Sequence, residues 1–200
     1  STGKGQVVDA AVTDGSALAT SLIYALFKGG RWSQSRESNL LDGGSHWYDC
    51  YECADGGYVS IGALEPEFYA LLLEKLELHD DPEFTAQYDP RRWPEQKRRF
   101  TEIFKTRSRA AWCELLEGSD ACFAPVLDLE EAPDHPHNRE RGAFTNVGGV
   151  QQPAPAPRFS ETVSEIASPP PESGQHTDDV LGDAGYAAAD IMALREQGVT

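Results

Sequence analysis

Cysteine is scarce in this chain, four among 200 residues. That is too few to staple a small secreted domain, so reduced thiols in a cytosolic setting are the simpler expectation. Positive charge is also short: 17 Lys and Arg stand against 33 Asp and Glu, a balance that repels nucleic-acid phosphates and anionic membrane surfaces and argues against both as partners. No apolar run approaches the roughly 20 residues needed to cross a bilayer. The start lacks the charged segment followed by an apolar one that marks a signal peptide, and the last residues, Gly198-Val199-Thr200, are not a peroxisomal address. The expectation is a soluble protein of a bacterial cytoplasm, mitochondrial or peroxisomal only if eukaryotic. What is present is a 40% hydrophobic content, enough to bury a core in one or two domains.

The pattern divides the chain into four sections: residues 1–11, 12–45, 46–133 and 134–200. Residues 6–11 read as a short apolar strand. Residues 16–28 read as a helix with Leu18, Leu22, Ile23, Leu26 and Phe27 on one face, ended by Gly29-Gly30. A polar loop closing on Gly43-Gly44 leads into a small α+β domain. That domain is a hairpin, helices over 66–78, 95–105 and 109–117, and a strand over 122–126. Beyond it the expectation is a helix over 129–141, a hairpin-like stretch through Gly148-Gly149, extended proline clusters at 153–157 and 169–171, and two short helices split at Gly185.

The chemistry concentrates in Tyr48-Asp49-Cys50-Tyr51-Glu52-Cys53-Ala54-Asp55-Gly56-Gly57 and in Gly62-Ala63-Leu64-Glu65-Pro66-Glu67-Phe68-Tyr69. The second segment is a strand-to-helix turn. Proline suits the first helical turn, and an acid there is favoured by the unpaired backbone donors and the helix dipole. Glu65 therefore either caps the helix or is a fixed carboxylate able to orient a catalytic base. Tyr48 is a good strand former and a core or edge residue by default, and Asp55 belongs to the hairpin turn. Cys50 and Cys53 invite a zinc or redox reading, but the chain supplies no second pair, and side chains three apart on a strand point to opposite faces, so no metal site is expected. His135 and His137 read as exposed loop residues, His46 as loop structure, and Thr177 or Asp178 after His176 as a helix N-cap.

These segments resemble the α-methylacyl-CoA racemases of the class III CoA-transferase (CaiB/BaiF) superfamily. In that family a Tyr-Asp-x-Tyr-x-Cys-x-Asp-Gly hairpin leads into Gly-Ala-x-Glu-Pro-x-Phe-Tyr. Similar segments follow in family order at Gly3-Lys4-Gly5-Gln6, Leu41-Asp42-Gly43-Gly44, Ser119-Asp120-Ala121-Cys122, Pro155-Ala156-Pro157-Arg158 and Gly174-Gln175-His176-Thr177.

The resemblance implies an α/β fold: a small α+β domain over 46–133, with 1–11 and 134–200 belonging to or returning to a Rossmann-like large domain. It also implies that the chain is the C-terminal portion of a longer protein. The family's acid/base residues, a His in Gly-His-Asp and an Asp before a Gly-rich helix start, have no counterpart among these 200 residues. By the resemblance Glu65 belongs to the catalytic apparatus as the carboxylate that orients the histidine base, and Tyr48 and Asp49 line the substrate site. No cofactor is implied, CoA being part of the substrate, an acyl-CoA thioester. The partner is a second copy in an interlocked dimer. The implied reaction is interconversion of (R)- and (S)-2-methylacyl-CoA. The alternatives are CoA transfer between carboxylic acids, whose enzymes carry a glycine-rich lid where this chain has the single Gly62, and a non-catalytic dimerisation module.

Overall fold

The computed structural model describes residues 3–200, which form two compact units, one ending at Leu127 and the other starting at Asp128. In the first unit the strand expected over 6–11 does not form. Val7 is 94% exposed, and among the described residues no strand runs beside it, so its backbone groups have no ladder to join. The helix expected over 16–28 is two: α1 (Val12–Ala19) and α2 (Ser21–Lys28). They part at Thr20, where the Thr20 and Ser21 hydroxyls donate to the carbonyls of Ala17 and Leu18 at 2.9 and 2.6 Å. Such local bonds compete with continuation of the helix.

The hairpin forms as expected. β1 (Tyr48–Glu52) pairs antiparallel with β2 (Tyr58–Gly62), Tyr48 opposite Gly62 and Glu52 opposite Tyr58. Gly56, at φ 81°, takes the turn position that side chains avoid. The Asp55 carboxylate accepts from the Gly57 N–H at 3.2 Å and from the Arg109 N–H at 3.1 Å, tying the turn to the start of a helix, here α5 (Arg109–Leu116). β3 (Phe123–Val126) then joins the far edge of β2, Ser60 opposite Ala124.

The period-two alternation gives this sheet two unlike faces. Tyr51, Val59 and Ile61 enter the core, together with Tyr69, Leu72 and Leu73 of α3 (Pro66–Lys75) and Trp112 and Leu116 of α5. The largest share comes from α4 (Trp93–Phe104), which buries Trp93, Gln96, Phe100 and Phe104 at helical spacing. It starts two residues before its expected boundary because Pro94 is tolerated in a first turn. Phe100 lies 5.2 Å from Phe84, and Phe104 5.0 Å from Tyr51; full burial of each such ring contributes on the order of 1.5–3 kcal/mol. Cys50, Ser60 and Ala124 lie on the opposite, outer face.

In the second unit the helix expected over 129–141 is broken by prolines, which lack the N–H a helix interior needs. It appears as a tight turn at Ala132–Asp134 and a short α6 (Pro136–Glu140). β4 (Phe144–Val147) and β5 (Val150–Pro153) form the hairpin around Gly148-Gly149. α7 (Thr177–Asp183) and α8 (Ala188–Glu196) flank Gly185 as expected. The side-chain cap expected from Thr177 or Asp178 is absent: the helix begins at Thr177 itself, and the Asp178 carboxylate pairs with Arg195 at 2.6 Å instead.

Candidate active-site groove

The outer face of the β1–β2–β3 sheet and the loop at 41–43 enclose a groove of about 620 Å³. Its loop wall is knotted by one carboxylate: Asp42 accepts from the Asn39 side-chain amide at 2.6 Å and from the backbone N–H groups of Asn39 and Gly44 at 2.8 and 3.1 Å. Burial pushes the Asp42 carboxyl up, but these bonds and one from Ser38 outweigh it, and the net shift is downward. Gly44 passes so close to Asn39 that a Cβ would stand 2.6 Å from its backbone nitrogen. Lys97 of α4 fastens this wall to the sheet. Its ammonium donates to the Gly43 carbonyl at 2.5 Å and is ion-paired with Asp49.

Tyr48 and Asp49 both line the groove. They present different groups to it. Tyr48 is 40% exposed, whereas the Asp49 carboxylate is already engaged by Lys97 and by the Cys50 N–H at 2.8 Å. Cys50 is exposed on the outer face and Cys53 is buried beyond the strand, so the two thiols do not converge.

Glu65 occupies the N-cap position of α3, yet its side chain accepts no hydrogen bond from the first turn. The exposed carboxylate stands near the Cys122 thiol and the Tyr88 hydroxyl. Burial first, and then the Glu65 charge, raise both of those groups. Gly62, three residues before Glu65, lines the groove and donates its N–H to the Cys122 carbonyl at 2.9 Å, so the chain leaves the groove's rim just before Glu65.

The backbone that aims Glu65 is held by groups sequence reasoning passed over. The buried Gln87 amide donates to the carbonyls of Ala63 and Leu64, 3.0 Å each, and the Tyr88 hydroxyl donates to Leu64 at 2.6 Å. Gln87 is itself fixed by the Trp47 and Trp93 indoles, which both donate to its carbonyl, at 3.1 and 2.8 Å. A Gln-Tyr pair inside a loop carries no periodic signal, and Lys97 reads as one more surface cation of α4.

His46, expected as loop structure, lies in a turn but is wholly buried. Its Nε2 is 2.8 Å from the Tyr69 hydroxyl, which donates its own proton to the Phe84 carbonyl at 3.2 Å. Nδ1 has no partner among the described residues. Burial lowers the imidazole from an ordinary 6.5 to about 3, so His46 is a neutral core residue, edge-on to Phe100 at 5.1 Å. It does not line the groove.

The profile of CoA-transferase family III matches residues 1–177. The chain belongs to that family. Among family relatives it is 40% identical over 199 residues to the α-methylacyl-CoA racemase of Mus musculus, covering 98% of this chain and 52% of the relative. To the Homo sapiens α-methylacyl-CoA racemase it is 38% identical over 200 residues, covering 99% and 52%. This family III chain thus spans about half the length of the curated relatives it matches. A solved CaiB/BaiF family protein from Brucella suis superposes with a TM-score of 0.64 at 20% identity, over 91% of this chain and 49% of that one. The mixed α/β fold is that of the CaiB/BaiF proteins. Among the described residues no helix is long and apolar enough to cross a membrane.

Proposed function

We propose that this chain is part of an acyl-CoA racemase that interconverts the epimers of 2-methylacyl-CoA thioesters. The observation that carries the reading is its 40% and 38% identity to two proteins named α-methylacyl-CoA racemase along nearly its whole length. The uncapped Glu65 carboxylate just beyond the groove rim supports it. In this reaction a base removes the proton α to the thioester carbonyl, the electron pair is held as an enolate, and a second group returns a proton to the opposite face. The chain lacks the Gly-His-Asp motif of the family's base, so the acid/base pair belongs to the rest of the protein. Glu65 is the positioning residue: it accepts the second N–H of the histidine base, fixing its tautomer and raising its basicity. The protein works as an interlocked homodimer in the cytoplasm, the groove of one copy meeting the acid/base pair of the other.

CoA transfer between carboxylic acids is the second reading, favoured by the family's own description. Against it, the segment from Gly62 to Phe68 has one glycine and an acid where a transferase carries a glycine-rich lid. The two readings part in one experiment. A single epimer of a 2-methylacyl-CoA is incubated with the full-length protein in deuterated water. Racemisation yields both epimers, with deuterium at the α-carbon and no need of added carboxylate. Acceptor-dependent movement of CoA, with configuration retained and no deuterium uptake, makes the protein a transferase.

A further inference from the structure

We infer that a second pocket, walled by residues 38–40 of the loop whose residues 41–43 wall the groove, binds a planar aromatic carboxylate, and that its occupation is transmitted to the Glu65 turn. The binding stands on its own. The coupling rests on the acyl-CoA reading above and gives that site a regulator.

The lining decides the ligand. The pocket holds about 440 Å³, within the range of small-molecule sites, and no residue lines both it and the groove. Trp32, Tyr88, Pro90 and Trp93 supply rings to it and Leu40 an aliphatic side chain, surfaces that take a flat apolar body. Behind Tyr88 and Trp93 lies Trp47, wholly buried and edge-on to them at 5.7 and 6.4 Å, so this wall is backed by packed rings. In a chain with 33 acids and 17 cations, the lining carries one cation, the exposed Arg31, and no Asp or Glu. Asp89, between Tyr88 and Pro90, is taken by Arg91 through bonds at 2.8 and 2.7 Å. Ser38, Asn39, Tyr88 and Trp93 already donate to Ser35, to Ser33 and Asp42, to Leu64 and to Gln87. The Arg31 guanidinium is thus the group left to meet charge. Its planar fork matches a carboxylate in two bonds, and a single such fork neutralises a singly charged acid but not a pyrophosphate.

The same side chains hold parts of the groove and of the turn beyond it. Asn39 is buried and lines the pocket, and its amide donates at 2.6 Å to the Asp42 carboxylate, which lines the groove. The Tyr88 hydroxyl donates to Leu64, the residue before Glu65, at 2.6 Å. The Trp93 indole donates to the Gln87 carbonyl, and the Gln87 amide holds Ala63 and Leu64. Tyr88 is 49% exposed; an aromatic body laid on its ring restrains it, and ordering done by one ligand is not repeated by the next. Occupation of the pocket therefore tightens acyl-CoA binding, and by linkage acyl-CoA tightens the pocket's ligand by the same factor.

The test titrates 2-naphthoate and its uncharged amide, 2-naphthamide, by calorimetry into the full-length protein and into Arg31→Gln, whose unchanged melting temperature verifies the fold. The wild type should bind 2-naphthoate about fivefold or more tighter than 2-naphthamide, and Arg31→Gln should remove that preference while changing 2-naphthamide binding less than about twofold. No binding, no preference for the acid in the wild type, or equal weakening of both ligands by Arg31→Gln overturns the site. With saturating acetyl-CoA present, the wild-type affinity for 2-naphthoate should rise about threefold or more. An unchanged affinity overturns the coupling, and exclusion of 2-naphthoate by acetyl-CoA places the naphthyl ring in the groove and overturns the whole inference. Failure of acetyl-CoA to bind, with the Arg31 effect intact, overturns the coupling together with the acyl-CoA reading and keeps the pocket.

Discussion

Acid should destabilise this fold through His46 before any carboxylate matters. The ring is buried among Tyr69, Phe84 and Phe100 and stays neutral down to about pH 3, whereas the unfolded chain takes up a proton near 6.5. Between those values the unfolded state binds one proton more than the native state, so stability rises with pH and falls by about 1.4 kcal/mol for each unit of acidification below 6.5. At pH 5 the loss is about 2 kcal/mol, a large share of a typical domain's stability. The lowered carboxyls of Asp42 and Asp81 work at lower pH. Their contribution is fully present above the unfolded carboxylate range near 4 and fades only as pH falls through it and below. The window from pH 7.5 to 5 therefore isolates the imidazole.

His46→Leu removes the titrating ring and leaves the Tyr69 hydroxyl donating to Phe84. Urea titrations followed by the fluorescence of the buried Trp47, Trp93 and Trp112 should show wild type losing about 2 kcal/mol between pH 7.5 and 5, and the variant less than about 0.5 kcal/mol. Equal losses in the two proteins would refute the argument.

In the full-length protein, Glu65→Gln should lower kcat roughly 10²-fold or more, with KM and melting temperature nearly unchanged, because an orienting carboxylate acts mainly in the transition state. Unchanged turnover with a lowered melting temperature would make Glu65 a plain helix cap. Gly44→Ala should cost about 2 kcal/mol or more in urea unfolding, since its methyl would press on the Asn39 and Ser38 backbone at 2.6 to 2.8 Å; a change below about 0.5 kcal/mol would mean that the loop wall yields freely. The isolated 200-residue polypeptide should self-associate in light scattering through α1 and α2, where Leu18 and Leu22 are 76% and 60% exposed. It should also fail to exchange the α-proton of a 2-methylacyl-CoA. A monodisperse monomer contradicts the first expectation, and exchange abolished by Glu65→Gln the second.

Local chemistry was legible from the residues alone. Gly56 and Asp55 specify the turn, Pro66 opens α3, and the strand period sends Cys50 and Cys53 to different sides, because each of these follows from backbone sterics or a fixed side-chain period. The same reasoning failed where an outcome depended on a distant partner. Residues 6–11 carry a strand's composition but have no neighbouring ladder, and a lone strand has nothing to bond to. His46 reads as loop until Tyr69, Phe84 and Phe100, from 23 to 54 positions away in sequence, close round it and remove its charge. Glu65 could be placed at a helix start from sequence, but not the groove it borders. Lys97 fastens the loop wall of that groove to the sheet through Asp49 and Gly43, and Gln87 holds Ala63 and Leu64 before Glu65, bonds between segments far apart in sequence. Sequence determined the turns and helix starts whose causes lie within a few residues; tertiary structure alone decided whether a candidate strand finds a ladder and which side chains meet, since both depend on how the chain closes on itself.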